Sequence, residues 1–192
     1  MSAKHKWHGP EFEAKFIANV KKALLTSAII VAREMKLQLS KSASPSEPGQ
    51  PPGAATGTLR RSVQIDSSGL SDTVNPKVRV GPNTPYAKIL EYGGVIRAKN
   101  VRALPVPIGA AGRAARRAAG ASIRSLDLFL IRRKGRPPFL ARKAGRGAIQ
   151  PLFVLKPSVT IAARPYVRPT LKAVRRRIRS QFTKTRLLAG IR

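Results

Sequence analysis

Apolar side chains recur at steps of three and four along GPEFEAKFIANVKKALLTSAIIVAREMKLQL, where Phe16, Val20, Leu24, Ser27, Val31 and Met35 share one side of a helix. The pattern predicts one long amphipathic helix over residues 10–39. Pro10 suits the first turn, where no amide partner is needed, and Glu11 and Glu13 favour the positive end of the helix dipole. Residues 42–57 then break all periodicity with prolines and glycines, which predicts an extended linker.

Alternation replaces helical spacing in TLRRSVQID, with Leu59, Val63 and Ile65 on one face and Arg60, Ser62 and Gln64 on the other. A strand is predicted there, and another at KVRVG. TPYAKILEYGG reads as a short helix with Thr84 as its cap, Pro85 in its first turn and Gly93 just past its end. VIRA and ALPVPI suit short strands, the second confined to a sheet edge by Pro105 and Pro107. LDLFLIRRKGRPPFLARK predicts a hairpin turning at Lys134–Gly135, and PLFVLKPSVTI one more strand. The C-terminal RPTLKAVRRRIRSQF predicts a helix with Leu171, Val174, Ile178 and Phe182 as its apolar stripe.

This order excludes alternating βαβ units and gives an α+β fold: a long N-terminal helix and a C-terminal helix packed on a small, mainly antiparallel sheet with a basic hairpin extension. A single domain over residues 1–192 is expected. Its sheet region spans 58–108 and 122–163, a flexible low-complexity basic insert occupies 109–121, and a basic helix and tail form 164–192.

Charge changes the picture. Lysine and arginine number 38 against 8 acids, a net charge of +30. The excess is concentrated: residues 97–146 and 164–192 together hold 24 bases and one acid, Asp127. A body so charged needs anions beside it, and nucleic acid or an acidic protein surface is the expected partner. The contacts would come from Arg113, Arg116 and Arg117; from Arg132, Arg133, Lys134, Arg136, Arg142 and Lys143; and from Arg175, Arg176, Arg177 and Arg179. Few aromatics interleave with these runs, so phosphate contact without sequence reading is expected rather than base stacking.

Chemistry is sparse. There is no cysteine, which excludes disulfides and thiolate sites. The longest apolar run, Ala23 to Ala32, is shorter than the ~20 residues that span a bilayer. A soluble, non-secreted protein with no membrane partner is expected. His5 and His8 have an i, i+3 spacing without further ligands, so no metal is expected. Phosphate-loop glycines and a nucleophile–histidine pair are both missing, so neither an enzyme, a cofactor nor a small-molecule substrate is expected. Glu91 stands alone among rare carboxylates and is read as structural, paired with an arginine.

Five stretches, PGQPPGAATGTLRRSV, VGPNTPYAKILEYGG, ALPVPIG, LDLFLIRRKGRPPFLARK and LFVLKPSVTIAARPYVRPTL, occur in one order over residues 45–171. Together they resemble the minor tail component, tail-completion and virion-morphogenesis proteins of tailed bacteriophages. One departure is Ile161-Ala162-Ala163-Arg164-Pro165, where the family has proline at the second place. The resemblance implies a non-enzymatic neck or tail-completion component. It would form a homo-oligomeric ring at the head–tail junction, around the DNA channel and against adjoining connector or tail proteins. Location in the virion, and in the host cytoplasm during assembly, follows. It also implies a framework and subunit contact built from Gly57, Leu59, Arg60, Tyr86, Glu91, Tyr92, Gly93, Gly94, Arg164 and Pro165, with Arg60 or Arg164 as the partner of Glu91. The alternative reading is a ribosomal or other non-sequence-specific RNA- or DNA-binding protein.

Overall fold

The computed structural model describes residues 9–41, 46–53, 56–120 and 122–191. In chain order the elements are α1 (Gly9–Lys41), α2 (Thr58–Arg61), β1 (Val63–Asp66), β2 (Arg79–Pro82), α3 (Ala87–Tyr92), β3 (Gly94–Arg97), β4 (Leu104–Pro107) and α4 (Gly109–Ala118). There follow β5 (Phe129–Arg133), β6 (Arg136–Lys143), β7 (Ile149–Lys156), β8 (Ser158–Ile161), α5 (Val167–Arg179) and α6 (Lys184–Leu187). The class is α+β, and every strand pairing is antiparallel. The chain divides into two compact units, Met1–Gly93 with Ala162–Arg192, and Gly94–Ile161.

The first unit is built on α1. Val31, Ala32, Met35 and Leu39 from its C-terminal half form a core with Val63, Tyr166 and Val174. Each large side chain buried there contributes about 1.5–3 kcal/mol. The strand expected at 58–66 begins only at Val63, because residues 58–61 make a helical turn. The N–H of Arg61 donates to the Gly57 carbonyl and that of Ser62 to the Thr58 carbonyl, both at 2.9 Å. Leu59 and Val63 are four apart, a spacing that serves a helical turn as well as an alternating strand. Gly57 stands before this turn at φ +70°, a left-handed conformation that favours glycine.

Helix α3 starts two residues later than a Thr84 cap would place it. Thr84 instead turns the chain, its carbonyl accepting the N–H of Ala87 at 3.1 Å. Gly93 ends the helix at φ +71°, as its position beyond Tyr92 predicts.

The apolar stripe of the C-terminal helix is rotated from the expected one. Leu171 and Phe182 are 45% and 37% exposed, while Thr170, Val174 and Gln181 are buried. Two polar residues can occupy that face because each is satisfied locally. Thr170 Oγ1 donates to the Tyr166 carbonyl at 2.6 Å, and Gln181 Nε2 donates to the Arg177 carbonyl at 3.1 Å.

In the second unit, β3 and β8 form a two-stranded ribbon with Gly94 opposite Ile161, so the chain enters and leaves the unit side by side. A four-stranded sheet runs in the order β4-β7-β6-β5. Its edge strand β4 carries Pro105 and Pro107, where a missing N–H costs no ladder bond. The hairpin β5–β6 turns at Lys134–Gly135, with Gly135 at φ +70°. PLFVLKPSVTI is two strands rather than one, since Pro157 separates β7 from β8 and the two join different sheets.

Residues 109–118, expected to be a flexible insert, form the regular helix α4. Alanine has the highest helix propensity of any residue, and five alanines alternate there with arginines. Gly112 lets the helix lie directly on β7: a Cβ at that position would stand 2.2 Å from the Leu152 carbonyl oxygen.

Candidate functional site

The framework residues of the first unit converge on one carboxylate. Glu91 lies in α3, is only 6% exposed, and reaches the start of α5. Its Oε2 accepts the N–H of Tyr166 at 2.7 Å and of Val167 at 3.0 Å, and Oε1 accepts that of Arg168 at 3.3 Å. These are amides that a helix leaves unsatisfied at its N-terminus, and a negative charge there also meets the positive end of the dipole. Among the described residues, the partners of Glu91 are these amides and not an arginine side chain. Arg60 donates to Ser40 Oγ at 3.1 Å, and Arg164 donates through Nε and Nη2 to the Ser46 carbonyl at 3.3 and 3.1 Å.

Arg164 still belongs to the junction by its main chain, whose N–H donates to the Leu90 carbonyl at 2.7 Å. Gly49 N–H donates to the Ala163 carbonyl at 2.9 Å, so the described part of the proline-rich segment is tied to the same place. Tyr166, fully buried, donates its hydroxyl to the Ala87 carbonyl at 3.3 Å. Burial, and then the charge of Glu91, push its phenol up to about 12. On the outside of the junction the Arg168 guanidinium lies 5.5 Å from the centre of the exposed Tyr92 ring. Tyr166, Val167 and Arg168 are partners that sequence reasoning missed. A lone glutamate followed by RPYVRP is their only trace, because the link is long-range. Among the described residues its close partners are main-chain amides, so this carboxylate holds α3 to the start of α5.

The thirteen basic residues expected to meet anions are all exposed. Arg113, Arg116 and Arg117 lie on α4, and all three are exposed. Arg132 and Arg133 end β5, Lys134 is in the turn, and Arg136 opens β6. The Arg133 guanidinium sits 4.7 Å over the Phe139 ring. Arg142 and Lys143 close β6, with Arg142 donating to Gln150 Oε1 at 3.0 Å. Arg175, Arg176, Arg177 and Arg179 occupy the second half of α5, where cations also interact favourably with the helix C-terminus. Residues 94–161 hold fifteen bases and one acid, Asp127, so the second unit is cationic throughout.

Among the described residues, no group of three or more His, Asp or Glu gathers to hold a metal, and no helix is long and apolar enough to cross a membrane. His5 and His8 lie outside the described residues.

Searches of curated proteins and of solved structures each gave no match. A protein-family model does match, over residues 11–93, and its description reads "Bacteriophage HK97-gp10, putative tail-component". The matched segment runs from the start of α1 to Gly93, where the first unit gives way to the second. It includes PGQPPGAATGTLRRSV and all but the last residue of VGPNTPYAKILEYGG, two of the five resembling stretches. The resemblance to tailed-phage tail proteins is thus borne out there: residues 11–93 carry the pattern of the HK97-gp10-like family of phage tail components.

Proposed function

We propose that the chain is a structural component of a tailed-phage virion. It is a neck or tail-completion protein that forms a homo-oligomeric ring at the head–tail junction, around the DNA channel. The observation that carries this reading is the family match over α1 to α3. Surface chemistry supports it. The cations of α4, of the β5–β6 hairpin and of α5 point outward without enough acids in the chain to neutralise them. A DNA-filled channel or acidic adjoining rings would supply the missing anions. The body of α1, β1–β2 and α5, locked by Glu91, is the rigid part that meets its neighbours.

The reading is tested by removing the protein from an infection and viewing the lysate by negative-stain electron microscopy. Separate heads and tails, with infectivity restored from a plasmid copy, are expected. Joined, infectious particles in its absence would refute the reading.

A further inference from the structure

Helix α1 has more apolar surface than its core uses. Ile29 and Leu37 are 53% and 42% exposed on a side turned away from Val31 and Met35. They and Ile65 line a groove of about 480 Å³, rimmed by Arg33, Lys36 and Arg60. An apolar floor with a cationic rim fits an apolar side chain flanked by carboxylates.

Carboxylates are scarce in this chain, eight in all. The first turns of α1 offer the complementary pattern, Glu11-Phe12-Glu13, in which Phe12 is 48% exposed and stacked on Phe16. Phe12 and Ile29 are on the same continuous helix, seventeen residues and therefore about 25 Å apart, so one copy cannot fill its own groove.

We infer that the first turns of α1 from one copy dock in the Ile29–Leu37–Ile65 groove of the next, Phe12 on the apolar floor and Glu13 against Arg33 and Lys36. Donor and acceptor surfaces differ, so the contact is head-to-tail, the kind that closes into rings when its rotation permits. The inference rests on the ring reading above and names a contact that would build it.

The test mixes two full-length chains carrying different tags, which is clean because the chain has no cysteine. One carries Phe12→Cys; the other carries Ile29→Cys or, as a control, Ser71→Cys on an exposed turn. Oxidation should link 12 to 29 between differently tagged copies at least tenfold more than 12 to 71. In native mass spectrometry, Glu13→Lys and Arg33→Glu should each reduce the oligomer, and the two changes together should restore it. That rescue separates a lost contact from a lost fold. An oligomer without the 12–29 link or the rescue would overturn this contact and leave the ring reading standing. A monomer at every concentration, with no link, would overturn the contact and weigh against the ring as well.

Discussion

Glu91 Oε2 accepts the N–H of Tyr166 at 2.7 Å across 75 residues of sequence, so one carboxylate from α3 serves as the N-terminal cap of α5. Between the two lies the whole second unit, whose entry and exit are the paired strands β3 and β8. The junction therefore joins the two sequence segments of the first unit that the insertion separates. Its strength decides whether α5 keeps its place against α1.

Replacing Glu91 tests that role. Glu91→Gln keeps the shape but turns charge-assisted bonds into neutral ones, and Glu91→Ala leaves three helix amides unpaired. A loss of about 1–3 kcal/mol is expected for Gln and a larger one for Ala, read as a lowered urea midpoint. Unchanged midpoints for both would show that the cap is not needed.

Tyr166 predicts an alkaline weakness. Its phenol is raised from the ordinary 10.0 to about 12 in the folded chain, so the native state holds that proton more tightly than the unfolded state. This contribution is complete below pH 10 and is lost as pH rises from 10 through about 12. Tyr166→Phe should unfold at slightly lower urea near pH 8, by about 0.5–1.5 kcal/mol for the lost hydroxyl bond, and should lose less stability than the parent above pH 10. Parallel stability curves for the two chains across that range would contradict the assignment.

Gly112→Ala should be far more damaging than an exposed glycine-to-alanine change in a helix. In most helices alanine is the better residue by about 1 kcal/mol. Here its Cβ would meet the Leu152 main chain, and α4 would have to lift off β7. Limited proteolysis is expected to cut within 109–120 in the variant and not in the parent. A variant as resistant as the parent would show that the helix tolerates the shift.

Arg132, Arg133, Lys134 and Arg136 test the cationic surface. Changing all four to Ser should leave the circular dichroism spectrum unchanged, since none of them is buried. Only the contact of Arg133 with Phe139 is lost, worth about 0.5–1 kcal/mol at an exposed site. Binding to duplex DNA should weaken, and the slope of log K against log salt should become shallower by about 0.9 for each phosphate contact removed. Equal affinity and slope for parent and variant would assign the hairpin to a protein neighbour instead.

Much of this was legible in the chain and some of it was not, for physical reasons. The long α1 follows from its three-and-four spacing, the hairpin from Lys134–Gly135, and the edge position of β4 from its prolines. Local chemistry sets each of these. Helix α4 was hidden because a low-complexity composition masks the helix propensity of its alanines. The rotated face of α5 was hidden because buried Thr170 and Gln181 are satisfied by bonds that hydrophobicity cannot register. The amides that Glu91 meets are not legible because opposite charge is visible in sequence, whereas a helix N-terminus is positive without any charged residue.

The most direct test of the virion reading is sedimentation of the tagged protein from infected or growing host cells, with DNase or RNase added to the lysate. Co-migration with nuclease-resistant phage particles or tails is the predicted result. Migration with ribosomal subunits that RNase abolishes, or protein left at the top of the gradient, would contradict it.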